Sequence, residues 1–471
     1  MLLLDFNKSY SKGIILTDNT TLEKIRKHFS ERIENIAMIR KKTGNNHIPD
    51  RNYAIPKTGM FDFGLREEIV KYLNDHNIEF QFTEKYLTQI NIGFKVETVF
   101  DGLKIKHRDY GLEAVSNALE SGCGTIISST GSGKSFLTAS LIENIKMTNI
   151  FDGFKCLIIV PGLSLVDQLN SDFIDYGVTF THSGWTGKNP LKDTDVIICN
   201  TENFCASFDK HPWIRNVNVF IQDECHRIKA SNKISKNISK VITPHKFGFT
   251  GTLPKEKIDE WKIIGTFGPI IFKKESKELR DLGFLTNACI KVVKLIHPKS
   301  SHMNYKKELQ FIYNSPARHI IIRKIIQKLD KNVLILVNHI EHGLATLDMM
   351  SSIGGKDCYF VHGGMPVEER QEIIRRMEVQ DNIICIAMSS IFSTGINVKN
   401  LHYIMFVAGG KSFIRIVQSI GRGLRLHDSK NKLTLIDICD NLRYSMEHAK
   451  IRKKYYDEQE IECKSIDIKL K

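Results

Sequence analysis

Two short stretches hold residues whose types and spacing suit work on a phosphate. Residues 128–135 read SSTGSGKS and follow the apolar pair Ile126-Ile127. Small residues let backbone N–H groups turn inward on phosphate oxygens. Lys134 can reach the outer phosphates, and the Ser135 hydroxyl can ligate Mg²⁺. The cradle so defined is Ser129, Thr130, Gly131, Ser132, Gly133, Lys134 and Ser135. The helix-like FLTASLIENI that follows would set its positive end on the same phosphates. The second stretch, NVFIQDECHRI, runs from apolar residues into Asp223-Glu224-Cys225-His226. An aspartate at a strand's carboxyl end can hold Mg²⁺ through its water shell. The adjacent Glu224 can orient or deprotonate an attacking water. A carboxylate pair in such a place is costly unless a metal or hydroxyl compensates it.

A third stretch, QSIGRGLR, places Arg422 and Arg425 three residues apart, on one face of a helix. Phosphoryl transfer loads charge on equatorial oxygens, which a guanidinium stabilises. A merely solvated helix turn explains Gly421 and Gly423 less well, because both weaken a helix.

Residues so far apart need a sheet to hold them. From about residue 105, short apolar runs alternate with longer amphipathic ones: GTIISS, CLIIVP, DVIICN, NVFIQD. The texture resumes after about 290 with NVLILVN, DCYFVHG, IICIAM, HYIMFVA and KLTLIDI. Continuous Val/Ile runs suit strands covered on both faces, and strand–loop–helix repetition marks a parallel α/β sheet. The expected fold is therefore two α/β lobes in tandem behind a small α+β amino-terminal domain. Expected boundaries are 1–100 for the small domain, 101–287 and 288–445 for the lobes, and 446–471 for a basic helical tail. Within the first domain, Leu65, Ile69 and Leu73 recur at helical spacing. The stretch KKTGNNHIPDRN reads as an exposed, turn-rich loop.

Composition narrows the class. The chain has 471 residues, a formal net charge of +14 and 42% hydrophobic residues. A polyanion, most commonly nucleic acid, is the partner such a charge suits; a basic enzyme that is simply soluble is the alternative. Ten cysteines without any CxxC pair speak against disulfide or zinc frameworks. The start, MLLLDFNKSY, is too short in its apolar run for a signal peptide, and nothing resembles a membrane span. The expectation is a soluble cytoplasmic protein with no membrane partner.

The order of phosphate loop, DECH, Thr250-Gly251-Thr252 and QSIGRGLR resembles superfamily 2 helicases and translocases over roughly residues 105–445. The DECH spelling and compact size are most similar to phage branch-migration helicases of the UvsW type, which would act in a host cytoplasm. The resemblance implies two RecA-like lobes, ATP and Mg²⁺ as cofactors, and catalytic roles for Lys134, Asp223, Glu224, Gln418, Arg422 and Arg425. It implies that Thr250, Gly251 and Thr252 couple hydrolysis to lobe movement. The last three catalytic residues would face the γ-phosphate from the second lobe. Two departures stand out. Gly111 occupies the place of an adenine-reading Gln, leaving Arg108 and Tyr110 to contact the base. In AMSSIFSTGINV, which includes Gly395, Asn397 replaces the usual Asp at the ribose.

The same resemblance assigns the nucleic-acid track to Pro161, Gly162, Gln168 and Thr201 in the first lobe. In the second it assigns Asn338, His362, Gly363 and Ser389. Hydroxyl, amide and backbone groups of this kind contact phosphates without reading sequence. Each segment alone reads more readily as an ordinary loop, and only its order relative to the ATP motifs lifts it. Lys41, Lys42 and Arg51 could hold a duplex arm, or be a solvated charged loop. The function implied is ATP-driven movement on branched DNA, in recombination, repair or replication. An RNA helicase, a double-strand translocase that does not unwind, and a nucleotide-switched clamp stay open beside it.

Overall fold

The computed structural model describes residues 2–6, 12–84, 92–129, 131–229, 232–282, 287–298, 304–389, 398, 400–408, 432–458 and 461–470. The chain divides into two compact units, residues 1–128 with 133–273, and 129–132 with 274–471.

The first unit opens with a four-stranded mixed sheet. In chain order its elements are β1 (Leu2–Phe6), β2 (Lys12–Leu16), a two-stranded ribbon of β3 (Ser30–Arg32) and β4 (Arg51–Tyr53), then β5 (Met60–Asp62) and β6 (Phe80–Phe82). The sheet runs β5-β2-β1-β6, with only the β1–β6 pair parallel. Strict alternation in LLLDF buries Leu2, Leu4 and Phe6 and leaves the other face half-covered. The helix Arg66–Asp75 closes that core with Ile69, Tyr72 and Leu73.

A seven-stranded sheet follows: β7 (Gly124–Ser128), β8 (Cys156–Val160), β9 (His182–Trp185), β10 (Val196–Asn200), β11 (Val219–Asp223), β12 (His245–Thr250) and β13 (Ile270–Lys274). Its spatial order is β13-β7-β12-β11-β8-β10-β9. The strands β7, β8 and β10 are buried at every position, as Val/Ile runs covered by helices on both faces require. The helix Lys134–Met147 is buried from Phe136 to Ile145, and its buried polar residues are satisfied: Glu143 accepts from the Thr179 N–H at 3.0 Å and Asn144 donates to the Phe100 carbonyl at 3.3 Å. The helix Lys257–Phe267 belongs to two cores. Ile263 and Phe267 enter the core of the seven-stranded sheet, while Ile264 enters that of the amino-terminal sheet. Each such side chain contributes about 1.5–3 kcal/mol on burial. The join is close enough that a Cβ on Gly64 would meet the Ile264 carbonyl at 2.0 Å.

The second unit holds another seven-stranded parallel sheet: β14 (Asn287–Ile296), β15 (Val333–Val337), β16 (Asp357–Val361), β17 (Ile383–Met388), β18 (Tyr403–Phe406), β19 (Lys432–Asp440) and β20 (Glu462–Lys469). The order is β16-β17-β15-β18-β19-β14-β20. Here the tail departs from expectation. Only Arg443–Glu458 is helical, and β20 then pairs parallel with β14 along eight residues. Ile468 and Leu470, two apart, pack on the core, so a period of two displaces the helical pattern there.

Candidate active site

The phosphate loop, the acidic pair and the threonine motif follow the carboxyl ends of β7, β11 and β12. The strands β7, β12 and β11 are neighbours, in a register that pairs Thr250 with Ile127 and Asp223 with Phe249. The phosphate loop, the threonine motif and the acidic pair therefore emerge side by side.

The loop needs its glycines. Gly131 and Gly133 have φ of +85° and +87°, where a side chain is strained. Nothing lies within 4 Å of a Cβ at Gly133, so that residue supplies backbone conformation and open room. The Ser132 N–H donates to the Ser129 carbonyl at 3.1 Å and closes the turn. Gly133 caps the helix Lys134–Met147, whose free N–H groups therefore open onto the loop. Lys134 donates from Nζ to the Ser128 carbonyl at 3.1 Å. Ser135 is half-buried on the first helical turn.

Asp223 ends β11, and its Oδ1 is shut from solvent without a hydrogen-bond partner among the described residues. Burial first, and the Glu224 charge second, push its carboxyl up to about 6, with Lys134 pulling the other way. A buried carboxylate oxygen that meets no hydrogen-bond donor among the described residues suits a divalent cation that approaches with its water. A Mg²⁺–nucleotide thus fits the donors present: loop N–H groups, Lys134, Ser135 and Asp223. Glu224 follows in the left-handed region, φ 51° and ψ 46°. Such backbone strain in a residue with a side chain recurs at active sites.

His226 connects this pair to the threonine motif. Its Nδ1 lies 3.2 Å from Glu224 Oε2 and 2.9 Å from Thr250 Oγ1. The Thr250 hydroxyl gives its one proton to the Thr252 carbonyl at 2.8 Å, so His226 Nδ1 is the donor. Residue types alone gave no role to His226; its place two residues after Glu224 was the available signal. Gly251 lies between the two threonines in the bend that follows β12.

Arg108 donates to the Tyr110 hydroxyl at 3.1 Å. The Tyr110 ring is buried, nearly parallel to Phe272 at 6.2 Å, and Arg108 is half-buried. Gly111 has a steric reason: a Cβ there would meet His107 Nδ1 at 2.6 Å. His107 in turn bonds Ser140 of the loop's helix through Nε2, 2.8 Å.

The residues expected on the track occupy the other strand ends. Pro161 and Gly162 follow β8, and Gln168 lies on the helix Leu163–Tyr176. Thr201, just past β10, donates to the Val160 carbonyl at 3.2 Å and ties the two loops together. In the second unit, Asn338 follows β15, His362 and Gly363 follow β16, and Ser389 follows β17. Ser389 donates to the Val337 carbonyl at 3.1 Å. Thr130, Gly395, Asn397, Gln418, Arg422 and Arg425 lie outside the described residues.

Comparison with known proteins agrees with this layout. Residues 104–255 match the family described as type III restriction enzyme, res subunit, and residues 317–427 match the helicase conserved C-terminal domain. The chain is 30% identical over 440 residues to the ATP-dependent DNA helicase uvsW of Enterobacteria phage T4, covering 88% of this chain and 84% of that protein. Two solved structures share the fold. One is the ATP-dependent type ISP restriction-modification enzyme LlaBIII bound to DNA, with a TM-score of 0.59 at 16% identity, covering 85% of this chain and 34% of that one. The other is S. cerevisiae Dbp5 bound to RNA and ADP BeF3, with a TM-score of 0.55 at 14% identity, covering 77% of this chain and 90% of that one. No described helix is long and apolar enough to cross a membrane. The paired parallel sheets are RecA-like lobes, and the chain belongs to the superfamily 2 family of ATP-dependent DNA helicases that includes phage UvsW.

Proposed function

We propose that this helicase hydrolyses ATP with Mg²⁺ to move strands of branched DNA, such as forks and four-way junctions. The observation that carries the catalytic half is the Asp223 oxygen that has no hydrogen-bond partner among the described residues, at the strand end next to the phosphate loop. Bound Mg²⁺–ATP supplies the reacting γ-phosphoryl group and charge neutralisation. Lys134 and the loop N–H groups hold the phosphates. Ser135 and Asp223 would hold the cation. Glu224 takes the proton of the attacking water and is kept in place by His226. Gln418, Arg422 and Arg425 answer the charge that develops on the γ-phosphate. Thr250 to Thr252 receive the change at Glu224 through His226 and pass it to the movement of the lobes. In this reading Arg108 and Tyr110 contact the base, and the roles of Gly395 and Asn397 at the ribose are those the family resemblance implies.

The track residues Pro161, Gly162, Gln168, Asn338, His362 and Gly363 hold backbone phosphates without reading sequence, while Thr201 and Ser389 set the spacing of the loops that carry them. The amino-terminal domain, residues 1–100, chooses the substrate. The net charge of +14 supports a polyanion grip, and affinity should fall steeply with salt. A neighbour bound to DNA and another bound to RNA share the fold, so the fold by itself does not choose between them. One experiment tests the reading: ATPase rate with single-stranded, duplex, forked and four-way DNA and with RNA, at one salt concentration, beside strand displacement on the fork. Strongest stimulation by branched DNA is expected. Stimulation by RNA alone, or by duplex without displacement, would replace it with the corresponding alternative.

A further inference from the structure

The ribbon β3–β4 carries an insert, residues 33–50, that the mechanism above does not use. Its helix, Ile36–Thr43, buries none of its residues. Met38 is 72% exposed, and among the described large hydrophobics only Val379 is more so; Ile39 beside it is 37% exposed. These side chains add nothing to a core.

The insert is nevertheless a shaped object. Arg40 donates from Nε and Nη2 to the Ile48 carbonyl at 3.0 and 2.6 Å, clamping the helix to the returning chain. The Ile33 N–H donates to the Asp50 carbonyl at 2.8 Å at the neck. Gly44, at φ +66°, stops the helix. The foot is fixed as well. Arg51 bonds Ser30 across the ribbon, and Glu31 accepts from the Ile258 N–H at 3.1 Å. Ile258 lies on the shared helix Lys257–Phe267, which follows the threonine motif in the chain. From Arg32 to Arg51 there are five basic residues (Arg32, Arg40, Lys41, Lys42, Arg51) and two acidic ones (Glu34, Asp50).

An apolar tip flanked by cations, on a stiff stalk, has the chemistry of a side-chain wedge. Met and Ile are among the residues that enter base steps and unstack them, while lysines hold the adjoining phosphates. We propose that Met38 and Ile39 abut the terminal base pair at a DNA branch and separate it, with Lys41 and Lys42 on the flanking phosphates. The proposal rests on the branched-DNA reading above.

The test uses the full chain, with Met38→Ser/Ile39→Ser and Lys41→Glu/Lys42→Glu as double variants. Both change solvent-facing side chains, and folding is checked by thermal unfolding. The probes are a fork and a four-way junction with 2-aminopurine at the branch pair. Wild type should brighten the base on binding without ATP. Met38→Ser/Ile39→Ser should abolish that rise and lower the ratio of junction unwinding to single-strand-stimulated ATPase by about tenfold. Lys41→Glu/Lys42→Glu should weaken junction binding and flatten its log–log salt slope by about two. If wild type opens branches and both variants open them equally well, the wedge is wrong and the branched-DNA reading stands. If wild type responds to DNA but neither brightens nor opens any branch, both fall together.

Discussion

Two aspartates stand at equivalent places, each at the carboxyl end of a buried parallel strand, and their surroundings act on them in opposite directions. Asp223 ends β11 in the first lobe. Burial and Glu224 raise its carboxyl to about 6, and Oδ1 has no hydrogen-bond donor among the described residues. Asp440 ends β19 in the second lobe. There burial is outweighed by Arg318 and His297, which hold its carboxyl below the usual range. Arg318 donates from Nε at 3.1 Å, and His297 Nε2 lies at 2.8 Å. A strand-end aspartate is thus no signature of a site. What distinguishes the two is that Arg318 and His297 bond the Asp440 carboxylate directly, whereas Asp223 Oδ1 meets no donor among the described residues.

The contrast can be broken most sharply by removing each charge. Glu224→Gln and Asp223→Asn should each cut ATP turnover by about 10²–10⁴-fold. Glu224→Gln should still bind nucleotide in a filter or fluorescence assay. At neutral pH, Asp223→Asn should raise the urea midpoint of the nucleotide-free protein, because a charge that burial and Glu224 together disfavour goes. Asp440→Asn should do the reverse. It leaves Arg318 buried without its counter-ion, at a cost of about 3–5 kcal/mol in stability. If both substitutions shift the midpoint the same way, the distinction fails.

The two aspartates should also part company on titration. Asp223 has a folded value above the ordinary carboxylate range, so its contribution favours the folded state at low pH. That contribution is lost as pH rises toward about 6. Asp440 has a lowered value. Its contribution is present above the ordinary range, about pH 4, and is lost as pH falls through the folded value. Unfolding free energies across pH 3–8, without nucleotide or metal, should therefore lose their decline between about pH 4 and 6 in Asp223→Asn. They should lose part of their acid-side decline in Asp440→Asn. Near pH 6, Mg²⁺–nucleotide binding should release a proton in wild type and not in Asp223→Asn, read by calorimetry in two buffers.

A smaller effect sharpens the picture inside the first lobe. His226→Ala and Thr250→Val each break the same link. Each should slow turnover by about tenfold, because a misplaced Glu224 still has its carboxylate. Made together they should lose little more than either alone, whereas independent sites would add.

The sequence showed the parts whose signals are local. Val/Ile runs bounded by polar residues marked the strands of both large sheets, and Gly131 and Gly133 marked the loop because only a backbone need explains them. The acidic pair was legible from its position after an apolar run. What stayed hidden is what distant segments decide. Ile263 and Ile264 are consecutive apolar residues, yet they serve different cores, and no periodicity reports that. The strand β20 was masked by a lysine-rich texture continuous with the helix before it. The His226–Thr250 bond spans 24 residues and depends on the β11–β12 register. Gly111 read as a missing side chain, and His107 supplies the reason no side chain fits.

The smallest prediction bears on whether the lobes grip alike. In each, a hydroxyl just past one strand donates to the last carbonyl of its neighbour: Thr201 to Val160 at 3.2 Å, Ser389 to Val337 at 3.1 Å. The β8–β10 pair and the β15–β17 pair are both parallel. Such a bond fixes the two loops at one spacing, which is what successive phosphates of a backbone require. Thr201→Val and Ser389→Ala each remove about 1 kcal/mol of hydrogen bonding that orders a loop before binding, so each should weaken single-strand binding by up to about fivefold, because that ordering then falls to the binding step. Equal losses, with an unchanged salt slope, would mean that both lobes use the bond to space their contacts rather than to touch phosphate directly. A loss confined to one variant would show that only that lobe keeps hold of the strand in the nucleotide-free protein. The lobes would then be alike in fold and unequal as grips.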